Sequence, residues 1–534
     1  ISLGLVGSEM CIRDRYINMQ LRHLTTENQK QLRTKNIICI EHSDSYLKEL
    51  QARFPDIYNS ITCIVDDYKR NQGEVNIQDR QVSVEDTSYL NDIDYNQSSI
   101  LITSDYYLEA FDKLRNIPEV VANNQSIYFF ANKETEYELT YREQYKSDSL
   151  RNLVIFRSGP HASAYVKGMD FTDNARTVFE YMLANNYNEK YELIWLVKNP
   201  DEFKRYQDYK NVKFYSFDWS ETENKQDRDR YYDALCHAKY LFCTDAYGFA
   251  RNCRKDQIRI QLWHGCGFKT RTNFIPCERR YEYNIVISQK YKEIHRDIYG
   301  LRDDQVIITG YPKEDLLFHP VSKEKLQQLG IPDSDRYIFW LPTFRTAREQ
   351  LKILNEHVVE TEVGLPVIYR QKDLDNLNTI LAENHMVMVI KLHPFQKKNS
   401  VCCGHLSNIV LIENDQLVEA DIQINELLGW ADALISDYSS AAIDYLILNR
   451  PIAFTLDDVE EYSSSRGFVF DNIRNWLPGK EIFSVDEFIE YVKEMGASID
   501  SSKEKREHIR SILHQFDDDQ SSRRVLDAFG IMLD

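Results

Sequence analysis

The sequence has no apolar run approaching the roughly 20 residues that cross a bilayer as a helix, so any membrane role read from it is peripheral. It has no paired C-x-x-C framework: its 10 cysteines stand singly or as the neighbours Cys402 and Cys403. The intervals between Cys236, Cys243 and Cys253 do not match a zinc site, and reduced thiols of a cytoplasmic protein are expected. Positive charge is not in excess. The 65 basic and 84 acidic residues give a formal charge of −19, which disfavours a general nucleic-acid binder and leaves room for a local basic patch. No carboxylate-rich metal cage is visible. Glu41-His-Ser-Asp44, rather than a glycine-rich turn, follows the first strand, so a dinucleotide fingerprint is absent there.

What is present is material for more than one core. A chain of 534 residues with 43% hydrophobic and 28% charged residues predicts a soluble globular protein of two or three domains. The 34 Tyr and 25 Phe are scattered without stripe or repeat. Residues Leu5 to Asp14 resemble a translated sequencing adapter, and the charges at Glu9, Arg13, Asp14 and Arg15 break any signal-peptide core. Residues 1–15 are therefore set aside as an expected gene-model artefact.

Short apolar runs then alternate with helical patterns, the signature of parallel α/β architecture. Strands are expected at Asn36–Ile40, Ile61–Val65 and Ser99–Thr103, with helices at Tyr46–Phe54 and Tyr106–Leu114. They make residues 16–131 a small α/β accessory domain. The polar stretch 132–151 reads as a linker. A second unit, 152–280, carries strands at Asn152–Phe156, Leu193–Val197, Val212–Tyr215, Tyr240–Thr244 and Ile258–Trp263. A third, 281–534, carries Asn284–Ile287, Gln305–Ile308, Tyr337–Leu341, Met386–Ile390, Ile409–Ile412 and Ala433–Ile435. Two such sheets facing each other predict a two-lobed transferase with its ligand crevice beyond the carboxyl ends of the strands.

Those strand ends carry the chemistry. Gln261-Leu-Trp-His264-Gly265-Cys-Gly-Phe-Lys269 follows one strand, and Gly310-Tyr311-Pro312-Lys313-Glu314-Asp315 another. Leu341-Pro342-Thr343-Phe344-Arg345, Lys391-Leu392-His393-Pro394 and Asp437-Tyr438-Ser439-Ser440 follow three more. Singly, each has an ordinary reading: a strand-end histidine bonded to backbone, a solvated cation, a proline stopping a strand, serines capping a helix. Together, two histidines, several cations and a serine pair at equivalent positions supply a general base and a phosphate clamp. A helix start after Ser439 and Ser440 also offers outward N–H groups to an anion.

In this order the motifs resemble the CDP-glycerol:poly(glycerophosphate) glycerophosphotransferases of teichoic acid and capsule polymer synthesis, from about Asn152 to Asp471. Asp444-Tyr445, Asn449-Arg450-Pro451 and Arg466-Gly467-Phe468 extend the match. The resemblance implies a GT-B-like pair of Rossmann-type domains and transfer of a polyol phosphate from a CDP-linked donor, with release of CMP and no cofactor. It implies His264 as general base and His393 as a phosphate-binding or leaving-group residue. For the donor it implies Gly265, Lys269, Tyr311, Pro312, Asp315, Thr343, Arg345, Lys391, Asp437, Ser439, Ser440 and Asp444, with no metal ligand. Two places depart from the family pattern: Cys266-Gly267 stands for Thr-Pro, and Lys313-Glu314 for Arg-Asn. Lys keeps a point charge and loses the bidentate fork, while Glu314 would be unfavourable beside a phosphate.

The partners so implied are the donor and a polyol-phosphate polymer or its lipid-linked primer at the cytoplasmic face of the membrane, with no nucleic acid. A glycosyltransferase of the same architecture, or a non-catalytic nucleotide-binding protein of polymer assembly, remains the alternative. A basic cluster at Arg251, Arg254, Lys255 and Arg259, with Arg279 and Arg280, could touch anionic lipid or form a solvated edge, and the solvated edge is preferred.

Overall fold

The computed structural model describes residues 19–33, 35–67, 73–77, 80–123, 126–159, 166–206, 208–245, 249–270, 283–342, 362–393, 406–465 and 467–533. It contains three sheets in chain order. The first is built from β1 (Leu21–His23), β2 (Asn36–Ile40), β3 (Ile61–Val65), β4 (Gly73–Ile77), β5 (Arg80–Glu85), β6 (Ser98–Ile102) and β7 (Ile127–Phe129). Its order is β1-β7-β6-β2-β3-β5-β4, parallel throughout except for the antiparallel edge pair β4 and β5.

The second sheet comprises β8 (Arg151–Ser158), β9 (Glu192–Val197), β10 (Val212–Ser216), β11 (Ala238–Thr244), β12 (Ile258–Gln261), β13 (Tyr283–Val286) and β14 (Val306–Ile308). Its order, β10-β9-β8-β11-β12-β13-β14, reverses direction between β8 and β11. The third comprises β15 (Arg336–Trp340), β16 (Met386–Lys391), β17 (Ile409–Ile412), β18 (Ala433–Ser436), β19 (Ile452–Thr455) and β20 (Lys480–Ile482), in the order β17-β16-β15-β18-β19-β20. All its pairs are parallel, and its switch point lies between β15 and β18. These are Rossmann-type windings, and their ligand crevices lie outside the strand ends at the switch points.

The strands read as apolar runs because helices cover both faces. All six residues of β16 are buried, as are the four of β18. One continuous apolar core runs from Phe156 and Trp195 under the second sheet to Tyr438 and Tyr445 under the third, so the two lobes share packing.

Three expected boundaries move. Lys133–Gln144 is a helix, not a linker; through Tyr141, stacked on Tyr232 at 4.6 Å, it packs on the helix Lys225–His237 beside the second sheet. The strands at Asn284 and Gln305 join the second sheet, because Asn284 pairs with Gln261 and Val306 pairs with Asn284. The second lobe therefore continues past residue 281. The final helix, Ser521–Ala528, also returns to that lobe: Asp315 accepts the N–H groups of both Ser521 and Ser522 at 2.8 Å.

Three arginines of the expected basic cluster are buried. Arg251 pairs with Glu109 at 2.5 Å, tying the first sheet to the second. Arg254 donates to the carbonyls of Tyr145 and Asp148, and Arg259 to that of Ala250. They are neither lipid-facing nor a solvated edge, and Arg279 and Arg280 lie outside the described residues. No helix among the described residues is long and apolar enough to cross a membrane.

Candidate active site

His264 stands three residues beyond β12, at the carboxyl edge of the second sheet. Its Nδ1 meets Asp245 Oδ1 at 2.6 Å, and Asp245 follows β11, the neighbouring strand. A carboxylate on one ring nitrogen fixes the tautomer and leaves the other nitrogen to take a proton. The pair rests on strained backbone. Asp245 and Trp263 both have φ of 57°, a left-handed conformation that costs a side-chain-bearing residue energy. The fully buried amide of Gln261 holds both. Its Oε1 accepts Asp245 N–H and Trp263 N–H at 3.0 Å each, and its Nε2 donates to Asp245 carbonyl oxygen at 2.8 Å.

The side chain of His264 is 44% exposed in the cleft. Its surroundings pull on its pKa in opposite directions. Enclosure lowers it, but the charge and hydrogen bond of Asp245, with Asp173 beyond, outweigh that and lift it above an ordinary histidine; Lys313 opposes.

His393 follows β16 and shows the reverse. Burial, then the charges of Lys391 and Lys269, hold its pKa well below the usual value, so it is neutral at pH 7. Burial lowers Lys391 to about 8. Two histidines pushed apart in this way are suited to different roles in one cleft.

Lys313 closes the lobes behind His264. Its ammonium donates to His264 carbonyl oxygen at 2.5 Å, pairs with Asp444 at 2.9 Å and lies 3.7 Å from Asp173. Burial would lower its pKa, but Asp173 and Asp444 outweigh this and keep it charged. Asp444 belongs to the third-sheet lobe, on the helix Ala441–Leu446, so this buried pair bridges the two lobes. Gly265 permits the approach. Its φ is 139°, and a Cβ there would come within 2.9 Å of Ser440 Oγ and 3.2 Å of Lys313 Nζ.

Two cavities open along the cleft. One, of about 450 Å³, is lined by Phe171, Phe203, Lys391, Val418 and Asp421 among others. The other, of about 380 Å³, is lined by Trp263, His264, Lys269, Ile294, Ile298 and Ser440 among others. His393 and Ser439 line both.

The structure thus brings His264, Gly265, Lys269, Lys391, His393, Ser439 and Ser440 to one cleft. It puts other expected donor contacts elsewhere. Tyr311 is wholly buried with its hydroxyl 3.1 Å from Cys266 Sγ, and Asp315 is committed to Ser521 and Ser522. Pro312 and Asp444 are buried at the lobe junction, and Asp437 lies fully buried beneath its turn. Thr343 and Arg345 lie outside the described residues.

Ser440 stands at the N-cap position without a side-chain capping bond; only Ser439 Oγ accepts, weakly, from Ala441 N–H at 3.4 Å. Glu314 is not beside any phosphate position in the cleft. It is buried and accepts Tyr311 N–H at 3.2 Å, and burial, with Asp444 adding, raises its pKa well above the ordinary carboxylate value.

Sequence reasoning missed Asp245, Gln261 as an anchor, and Asp173. The available signal for Asp245 was its place at a strand end, shared with every motif identified. Among the described residues, no group of three or more His, Cys, Asp or Glu is arranged to hold a metal ion.

Comparison with known proteins places this geometry. The family model of CDP-Glycerol:Poly(glycerophosphate) glycerophosphotransferase matches residues 122–529. A teichoic acid poly(glycerol phosphate) polymerase of Staphylococcus epidermidis is 24% identical over 392 residues, covering 68% of this chain and 47% of that protein. A teichoic acid poly(ribitol-phosphate) polymerase of Bacillus spizizenii is 27% identical over 314 residues, covering 54% and 46%. The chain spans about half the length of these curated relatives. Among solved structures, the wall teichoic acid polymerase TagF superposes with a TM-score of 0.56 at 21% identity, over 74% of this chain and 92% of that one. At that identity the likeness speaks for the fold, and it agrees with the GT-B-like pair of lobes.

Proposed function

We propose a reaction for this chain, which belongs to the CDP-glycerol:poly(glycerophosphate) glycerophosphotransferase family: transfer of a polyol phosphate from a CDP-linked donor to a hydroxyl of a cell-surface polymer or its lipid-linked primer. The acceptor hydroxyl gives its proton to His264 Nε2 as its oxygen bonds to the phosphorus bearing the polyol. The bond from that phosphorus to the bridging oxygen breaks, and CMP leaves with the electron pair. His393, neutral, donates a hydrogen bond to a phosphate oxygen. Lys391 offsets the charge on the equatorial oxygens, as transfer of a phosphoryl group requires, and Lys269 adds positive charge on the His264 side of the cleft. Ser439 and Ser440 hold the pyrophosphate at the switch point of the third sheet.

The observation that carries this reading is the Asp245–His264 pair at 2.6 Å, a supported base facing the strand ends that bear His393 and Lys391. A non-catalytic nucleotide binder needs the cations but has no use for that pair. The relatives include both glycerol-phosphate and ribitol-phosphate polymerases, which supports a donor of the CDP-polyol class.

The lysines serve where a bound magnesium ion otherwise would, so the reaction is proposed to need no metal. Full turnover in excess chelator supports this, and a loss rescued only by added metal rejects it. Donors of this kind are cytoplasmic, which puts the reaction at the inner face of the membrane, with the acceptor as the point of membrane contact. A donor panel tests the whole reading. Release of CMP from CDP-glycerol or CDP-ribitol, with common UDP-sugars inert, is the expected result. Transfer from a UDP-sugar would instead make the chain a glycosyltransferase.

A further inference from the structure

The two cavities differ in which reacting groups they contain. His264 and Ser440 line only the smaller, Lys391 lines only the larger, and His393 and Ser439 line the seam between them. In-line displacement at phosphorus requires the attacking and leaving oxygens on opposite sides of it. A phosphorus held at the His393–Ser439 seam therefore receives its nucleophile from the His264 side and loses its leaving group toward the Lys391 side.

Charge separates the cavities as well. Among its described lining residues the larger has four carboxylates against four lysine and arginine side chains. The smaller has no carboxylate and one lysine, Lys269, in a protein whose formal charge is −19. Charges of the two signs balance in the larger cavity, whereas the smaller presents a lysine to an anion with no carboxylate among its described lining residues. Part of the smaller cavity's lining is apolar: Ile294 and Ile298 stand one turn apart on the helix Gln289–Tyr299 and line it together with Trp263. Such walls suit the carbon backbone of a polyol, and about 380 Å³ is at the small end of the ligand-pocket range, about 300–1,000 Å³.

We propose that this cavity, bounded by Trp263, Lys269, Ile294 and Ile298, binds the hydroxyl-bearing end of the acceptor, one anionic polyol-phosphate unit, while the larger cavity holds the nucleotide. The assignment rests on the transferase reading above, and it adds where each substrate sits. Lys269 meets the terminal phosphate of the acceptor, the apolar pair packs on its carbons, and its free hydroxyl reaches His264.

A charge placed in the cavity wall tests this without touching the reacting groups. Ile298→Glu introduces a carboxylate, and Ile298→Gln has the same shape without the charge. With a poly(glycerol phosphate) oligomer as acceptor, the Glu variant is expected to raise acceptor KM about tenfold over the Gln variant, and added salt to shrink the difference. The Kd for CDP-glycerol, measured by calorimetry, is expected to be alike in both. The assignment is overturned if the two variants share one acceptor KM, or if the carboxylate weakens CDP-glycerol instead. Binding of the same oligomer without donor, measured by calorimetry, distinguishes the site from the reaction. Binding weakened by Ile298→Glu in a protein that releases no CMP would uphold the cavity and reject the transfer. Oligomer binding that is absent, or equal in both variants, would reject the cavity.

Discussion

Gln261 Oε1 accepts the backbone N–H of Asp245 at 3.0 Å, and that bond sets the direction of the carboxylate that holds His264. The same amide group anchors Trp263, next to His264, so one buried side chain fixes both members of the pair from behind.

Gln261→Met keeps the length of the side chain and removes its three bonds to the strand ends. The left-handed residues at 245 and 263 then lose their support, and the imidazole shifts within the cleft. Turnover is expected to fall roughly 10²-fold, the cost of misplacing a reacting group by about 1 Å, with KM for the donor unchanged. Circular dichroism checks the fold. Parental turnover in a folded variant would show that the two strand ends hold themselves.

The two shifted side chains predict a bell-shaped dependence of kcat/KM on pH. His264 must be neutral to accept a proton, so activity rises as pH climbs through its raised pKa, above the ordinary histidine value of about 6.5. Lys391 must be charged, so activity falls as pH climbs through about 8. Asp245→Asn removes the largest influence holding the His264 pKa up. Its acid limb should move to lower pH, while turnover drops by about two to four orders of magnitude. An acid limb that stays in place would assign it to another group.

Lys313 neutralises Asp444 and Asp173 where the lobes meet. Lys313→Met leaves Asp444 as a buried carboxylate without its cation, which costs about 3–5 kcal/mol. Denaturant melts should show this, and adding Asp444→Asn should restore part of the loss. A single variant as stable as its parent would mean that the pair has no structural weight.

Much of this was legible in the chain, for a physical reason. Strands buried on both faces read as apolar runs, so β2 and β3 coincide with the expected spans and β16 exceeds its own by one residue, and motifs at strand ends fall where chemistry collects. Short and polar strands were not legible. The strand β5, Arg80–Glu85, alternates polar and apolar residues beside the edge strand β4, and the edge strands β1 and β20 have three residues each. The helix Lys133–Gln144 buries Thr135, Glu138 and Tyr141, a stripe too polar to distinguish from a linker.

Sheet membership was hidden too, because nothing local to Asn284 says that it pairs with Gln261. For the site, His264, His393 and Lys391 announced themselves by chemical type at strand ends. Asp245 did not: it lies 19 residues before His264 and meets it only because β11 and β12 are neighbours. The polar residues of the Tyr311–Asp315 motif look like ligands in sequence, yet they build the joint between the lobes and the final helix.

The most direct test of the account is single-turnover CMP release from CDP-glycerol or CDP-ribitol, with acceptor present, by the parent and by His264→Ala. The account predicts a loss of about two to four orders of magnitude in the rate, with the Kd for donor unchanged. A folded His264→Ala protein that releases CMP at the parental rate would contradict it.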